Sequence, residues 1–376
     1  MFDGHNARHG ATLVVAIGAG QLSLGVVSKI NKATALELSA SGFLAPEKRS
    51  SAQTAAALKQ LLSDKLTSLL KTHADRRGPK IRAVFLVLEA PLSQAFVVRA
   101  QRVFPAPERV TDTLLDALAK NALGQLAHEP NFLSASMLRV QLNGYNTERP
   151  EGKYATSVDL IGLAATADPA LKESLLATLR SLLPSAKIAI WPGTLALIRS
   201  TAEQGGEEGR NSLTLYVSSE GTELVAFHDG IPTTCAFIPV GTRVIAERAS
   251  PGKPALSTLA ALRLAAKGDI SDAAAAEGEA SLVRIESELA HDFGDPLARL
   301  ASEQRLPPAV LLIAPQEIEE WFSRFIGRLD FAPFTMTALP FAVRAMQPLN
   351  LPSGEAPAQG DIMLALALSL LHRQDD

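Results

Sequence analysis

The sequence predicts an α/β protein of two lobes, with a small α+β unit inserted into the first. Three observations predict this. Runs of strand period joined by tight polar turns occur twice, at residues 11–38 and 213–241, and each reads as a β-meander. Helical patterns and buried-strand runs follow each meander. The block at 96–165 has its own order of strand, helix, strand and strand. A chain of 376 residues also exceeds one ordinary core, which agrees with two lobes.

Taken in order, a polar lead over 1–10 precedes a strand at 11–17. Gly18-Ala19-Gly20 makes a turn, 22–27 returns, and 34–38 forms a third strand. The turn has two readings. Its glycines could let backbone N–H groups approach a phosphate, or they could serve a bare hairpin. Between 50 and 73, Ala55, Leu58, Leu61, Leu62, Leu66, Leu69 and Leu70 recur at helical spacing and mark a helix packed on a sheet. Arg76-Arg77-Gly78-Pro79 ends it, and 83–88 is a buried strand.

In the inserted block a strand at 96–104 stops at Pro105. Val110, Leu114, Leu118, Ala122 and Leu126 then share one face of a helix over 108–128. Strands at 136–143 and 156–165 flank a loop, 144–153, that is longer than a hairpin needs. Such a loop is either functional or an ordered surface connection. A helix at 169–183, a strand at 186–191 and a helix at 194–202 lead to GGEEGRN at 205–211, a flexible polar hinge. The second meander follows, then lid helices at 255–267 and 279–291, a strand at 309–313, a helix at 316–326 and a tail helix at 361–372. These elements divide the chain at 1–90, 91–168, 169–204, 205–350 (with a helical part at 247–304) and 351–376.

Composition narrows the function. With 47% hydrophobic and 20% charged residues the chain is globular rather than disordered. A net charge of -3 argues against a nucleic-acid partner. The single Cys235 allows no intrachain disulfide and no multi-cysteine metal site, and it suits the cytoplasm. The start reads as no signal peptide, and no apolar run reaches the roughly 18 residues of a membrane span. Direct membrane insertion is therefore not expected. His5 and His9 are the only close histidine pair, and no GxSxG, Walker A, HExxH or dinucleotide fingerprint occurs. No catalytic residue and no metal ligand is assigned.

Val140-Gln141-Leu142-Asn143-Gly144-Tyr145 and Arg149-Pro150-Glu151-Gly152-Lys153 resemble the inserted subdomain of actin-like proteins related to the bacterial cell-division protein FtsA. Residues 97–105 and the helix after them resemble the corresponding part of the type IV pilus assembly protein PilM. Ile238-Pro239-Val240-Gly241 resembles the turn after the FtsA meander, and the similarity runs in order through most of the chain. The resemblance implies a two-lobed actin-like ATPase fold with an inserted SHS2-like α+β subdomain. In that superfamily an Asp ends the first strand, glycines wrap the phosphates and a Thr-Asp pair opens the next strand. Here Ala16 and Tyr216 stand for the acidic residues, and Ser218, Ser219 and Glu220 for the loop glycines. Thr222-Glu223 stands for Thr-Asp, and Ala314-Pro315 for a Gly-Gly turn near adenosine. Alanine cannot hold a hydrated Mg²⁺, Glu220 would repel phosphate, and a proline ring fills the adenosine approach.

The resemblance therefore implies a pseudo-ATPase scaffold without cofactor. It would dock the cytoplasmic tail of an inner-membrane protein, at the inner face of the membrane, in a pilus-assembly or cell-division machine, with self-association allowed. Two alternatives stay open. An ATP- and Mg-binding homologue that polymerises or switches would use Gly18, Gly20, Gly221, Thr222, Glu223 and Gly241. A divergent sugar or acid kinase would need a catalytic Asp that no motif position supplies. Glu223 itself reads as an acid/base or metal-linked carboxylate, or as a solvated strand-end charge. In PilM-like proteins, the resemblance implies, a partner peptide docks between the insertion and the first lobe. Loop 144–153 and strand 95–102 would border that groove, with Tyr145, Arg149, Val97 and Arg99 as contacts. Tyr145 is either this half-buried anchor or part of the insertion's core. The tail helix packs in the core or lies on a membrane as in FtsA, and its lack of a basic face favours the core.

Overall fold

Three sheets and the helices between them make up residues 10–30, 33–45, 49–253, 255–267, 272–329, 341–347 and 361–371, which this computed structural model describes. The polar lead with His5 and His9 lies outside the described residues. The first sheet opens with β1 (Ala11–Ile17), β2 (Gln21–Ile30) and β3 (Ala33–Phe43), an antiparallel meander whose third strand runs past the expected end at 38. Helix α1 (Ser51–Asp75) starts at a capping box in which the Ser50 hydroxyl accepts from the Gln53 N–H and the Gln53 side chain accepts from the Ser50 N–H. β4 (Ile81–Leu88) then joins β1 in parallel.

The insertion comprises β5 (Ser93–Arg109), α2 (Asp112–Leu123), β6 (Phe132–Leu142), β7 (Tyr145–Asn146) and β8 (Tyr154–Ala167). Its antiparallel sheet has the order β5-β8-β6-β7, and α2 packs Leu115 and Leu118 on one face against Val140, Val158 and Leu160. Two expectations are corrected here. The first strand does not stop at Pro105. Its register breaks between Val103 and Glu108, so Pro105 and Pro107 sit where no ladder N–H is needed, and pairing resumes to Arg109. The helix starts at Asp112 rather than 108, because Thr111 caps it through the Leu114 N–H at 3.2 Å.

After the insertion, α3 (Pro169–Leu182) joins α1 on the outer face of the first sheet, and β9 (Lys187–Pro192) completes its order β3-β2-β1-β4-β9. Then come α4 (Gly193–Gln204) and α5 (Gly206–Arg210). The expected hinge at 205–211 is instead this short helix, folded tightly onto α4. A Cβ at Gly205 would lie 2.5 Å from the Thr201 carbonyl oxygen.

The second sheet takes β10 (Ser212–Val217), β11 (Thr222–His228) and β12 (Ile231–Ile238). Helices α6 (Thr242–Ala249), α7 (Ala255–Lys267) and α8 (Asp272–Glu303) follow, and α8 is much longer than the expected 279–291. β13 (Ala309–Ile313), α9 (Glu319–Arg328) and β14 (Ala342–Ala345) complete the order β12-β11-β10-β13-β14. The chain returns through α10 (Ile362–Ser369).

Between the sheets lie α4 and α10. They pack Leu195, Leu197, Leu364 and Leu368 against Val14, Ala16 and Val87 of the first sheet and Tyr216, Val225 and Ile313 of the second. A helix apolar all round is a buried helix, and Met363, Leu364, Leu366, Ala367 and Leu368 are all buried. The tail thus packs in the core, as its lack of a basic face favours, and the membrane-lying alternative falls away. Among the described residues no helix is long and apolar enough to cross a membrane. Leu364→Ala is expected to cost about 2–5 kcal/mol in urea unfolding. Truncation before Asp361 should leave protein that does not melt cooperatively, and an unchanged melt would refute the core role of α10.

Candidate functional site at the lobe interface

The β1–β2 turn and the β10–β11 loop face each other across the lobes. Gly18 donates its N–H to the Gln21 carbonyl at 2.9 Å, closing the first turn. A Cβ at Gly20 would stand 2.8 Å from Glu220 Oε1 and 3.3 Å from Ser219 Oγ of the opposite loop. Arg243 holds Glu220 in a two-pronged bond, Nε to Oε1 at 3.1 Å and Nη2 to Oε2 at 2.6 Å. The N-terminus of α6 is also engaged by this loop. Thr242 and Arg243 donate their N–H groups to the Ser218 and Ser219 carbonyls at 3.0 and 3.1 Å. That closeness explains Gly241, where a Cβ would strike Gly221 N at 2.4 Å and Ser219 O at 2.5 Å. Thr222 donates its hydroxyl to the Val240 carbonyl at 2.7 Å, and Gly221 gives way to the Phe237 ring.

Beneath the loops sits a cluster of buried acids. Glu89 follows β4, and its backbone N–H continues the ladder to the Ile17 carbonyl at 2.9 Å. Tyr216 donates its hydroxyl to Glu89 Oε1 at 2.8 Å, and Thr194 donates to Glu223 Oε1. Asp361 caps α10 through the Leu364 N–H at 3.0 Å. Glu223 is only 6% exposed, which corrects the solvated strand-end reading. Its strand lies inside the second sheet, between β10 and β12, with α4 beside it. Burial pushes the Glu89 carboxyl up to about 8; the Tyr216 bond opposes this, while the charges of Glu223 and Asp361 add to it. Burial likewise pushes Glu223 up to about 7 against the bond from Thr194, and raises Asp361. This pocket of the interface therefore favours neutral carboxylic acids. Among the described residues no group of three or more His, Cys, Asp or Glu side chains is arranged to hold a metal ion.

The six residues expected around a nucleotide thus do meet along the lobe interface. Glu89, Thr194 and Asp361, which join them, were missed by sequence reasoning. An acid closing the apolar run of β4 was the available signal, because strand ends at such edges are where α/β sheets place their sites.

Comparison with known proteins bears on the fold. No family model matches the chain, and no curated protein matches it in sequence. A solved structure of the PilM-PilN type IV pilus biogenesis complex does match, with a TM-score of 0.55 at 16% identity over 99% of this chain and 100% of that one. The chain has the two-lobed actin-like fold that this match shows. Weaker matches, each with a TM-score of 0.43 and 11% identity, are a Bacteroides thetaiotaomicron protein with actin-like ATPase fold and the ethanolamine utilization protein EutJ from Carboxydothermus hydrogenoformans. The first covers 98% of this chain and 99% of its own, the second 98% and 91%.

On this actin-like frame the four expected partner contacts fall apart into two groups. Tyr145 is 78% exposed on β7, so it is not core of the insertion, and Arg149 is exposed in the loop beyond it. Val97 and Arg99 lie on β5, at the opposite edge of the same sheet. Tyr145 pairs with Leu142, which is level with Val158 and so with Arg102, three strand spacings or roughly 14 Å across. Val97 is half-buried against the inter-lobe core. The structure does not bring these four into one groove.

The acid cluster has a pH signature. Glu89 and Glu223 bind protons more tightly folded than unfolded, where a glutamate titrates at 4.5. Their stabilisation is complete below that value and is lost as pH rises through about 7 and about 8. Unfolding free energy should therefore fall over this window, by at most about 1.4 kcal/mol per pH unit for each proton. Glu89→Gln should flatten the slope and stabilise the protein at alkaline pH, as read from urea midpoints. A wild-type stability that rises across the window would overturn the assignment.

Proposed function

We propose that this chain is an actin-like scaffold that neither binds nor hydrolyses ATP and that docks the cytoplasmic tail of an inner-membrane protein. One observation carries the first half: Glu220, clamped by Arg243, lies against Gly20 where the two loops meet. A triphosphate placed between these loops would meet that carboxylate at contact distance. The leading N–H groups of α6 already hold the Ser218 and Ser219 carbonyls, and Ala16 and Tyr216 offer no carboxylate to a hydrated Mg²⁺. These residues do not fit a magnesium nucleotide.

The docking half is supported by the insertion's surface. Among the described residues eight large hydrophobic side chains are exposed, and Phe96, Val103, Met137, Tyr145 and Tyr154 of the insertion are five of them. Phe96 and Met137 share a sheet face, since Phe96 is opposite Ala164 and Met137 opposite Gly162 on the central strand β8. Such a patch suits an apolar segment of a partner. The similar structure is described as a complex of PilM with PilN, which favours a pilus-assembly setting over cell division.

Millimolar Mg-ATP should leave the melting temperature unchanged, since binding would raise stability by RT ln(1 + [L]/Kd). A shift of several degrees that needs Mg²⁺ would contradict the scaffold reading. For docking, synthetic tails of inner-membrane proteins from the source cell would be titrated against two sets of variants. Tyr145→Ala with Arg149→Ala tests one edge of the insertion, and Phe96→Ser with Met137→Ser tests the other face. Loss of an aromatic anchor should weaken binding by about 30-fold or more at unchanged melting. Undiminished binding in both sets would remove the insertion from the interface.

A further inference from the structure

A cavity of about 330 Å³ lies between the insertion and the second lobe, next to the β7 edge that carries Tyr145. Arg139 of β6 and Asn146 of β7 form one wall; the α4–α5 junction with Thr201 and Arg210, and the β11–β12 turn at Gly230, form the others. Both arginines flank the β11–β12 turn. A Cβ at Gly230 would stand 3.8 Å from Arg139 Nη1 and 3.8 Å from Arg210 Cγ. The Gly230 N–H donates to the Arg210 carbonyl at 2.7 Å, which pins the turn to α5.

Arg139 is half-buried and makes no hydrogen bond or ion pair to any described residue. Its guanidinium is lowered from its ordinary value, by burial first and then by the charge of Arg210. Arg210 has only an exposed contact with Glu207 at 3.8 Å, a geometry worth little. Asp229 lies at the same cavity, with its carboxylate 3.7 Å from His228 Nε2. The Asn146 carbonyl accepts from Gln141 at 3.0 Å, and its amide N–H groups make no bond to a described residue. Arg139 thus has spare donors and no bonded counter-charge, and the lining carries two arginines against the single carboxylate of Asp229.

We propose that this cavity binds a small anion of the phosphate class, held by Arg139 and Arg210 with Asn146 as an added donor. Guanidinium forks match phosphate oxygens two by two, and the two arginines outnumber the single lining carboxylate of Asp229, so an anion improves the balance of charge. The volume stands at the low end of small-ligand sites, about 300–1,000 Å³, so the ligand is phosphate itself or a small phosphorylated molecule rather than a nucleotide triphosphate. Bound there, it would tie the insertion to α5 of the second lobe.

The test is calorimetric titration of the full chain with inorganic phosphate and with glycerol 3-phosphate, against chloride at matched ionic strength. Saturable binding of either supports the site; tighter binding of the ester identifies an organic phosphate as the ligand, and equal binding identifies free phosphate. Arg139→Gln and Arg210→Gln should each weaken binding about tenfold or more. Arg139→Gln should also melt no lower than the wild type without ligand, because it removes a cation held beside another. If that variant does not fold, Arg139→Lys keeps the charge and loses the fork, and should bind more weakly. No saturable binding at millimolar phosphate, the same effect from chloride, or full affinity in the folded arginine variants would overturn the proposal.

Discussion

Both sheets bury their inner faces on the same two helices, α4 and α10, and the rest of the molecule depends on that shared layer. Each sheet has its own outer cover, α1 and α3 on the first and α6 to α9 on the second. Neither could leave its inner face in water, because those strands present Val14, Val87, Val225 and Ile313 there. The helix that fills the gap comes from the far end of the chain, so the first and last described segments are folded together. Close packing of this kind couples the lobes, since displacing α10 would open cavities against both sheets at once.

A buried layer this thick must also satisfy most of the polar groups it contains. Tyr216 bonds Glu89, Thr194 bonds Glu223, and Asp361 caps α10, so each acid is paired where it is buried. The Tyr216–Glu89 and Thr194–Glu223 pairs each join a residue of the first lobe to one of the second. They act with the Glu220–Arg243 clamp, which lies against Gly20, to bring the loop region of the two lobes into contact. On the scaffold reading, this contact replaces a ligand as the element that sets the angle between lobes.

The insertion is bound to that body through one face and one edge. Ala95, Val97 and Leu138 pack against the inter-lobe core, while Phe96 and Met137 look outward from the same strands because side chains alternate along a strand. Arg139 is turned to the second lobe by the bulge between Met137 and Arg139, which shifts the register of β6 against β8. One irregularity in one strand thus separates an outward apolar patch from an inward cationic cavity.

Element types were legible in the sequence where period was unambiguous. The heptad-like leucines of α1, the apolar runs of β1, β4 and β13 and the two meanders all formed close to where residue pattern placed them. Boundaries failed where a local cap or bulge outweighed period, as at Thr111 and at Pro105 to Pro107. The tail's burial was legible too, since a helix without a polar face has only an apolar environment open to it. What the chain alone could not reveal was partnership across long separations. Glu89 meets Tyr216 127 positions later, Thr194 meets Glu223, and Arg139 meets Arg210 only because sheet order and strand register bring them together. A single charge at a strand end looks the same in sequence whether it faces water or another acid. Its environment, and therefore its protonation and its chemistry, is set by elements packed from elsewhere, and that only the tertiary structure decided.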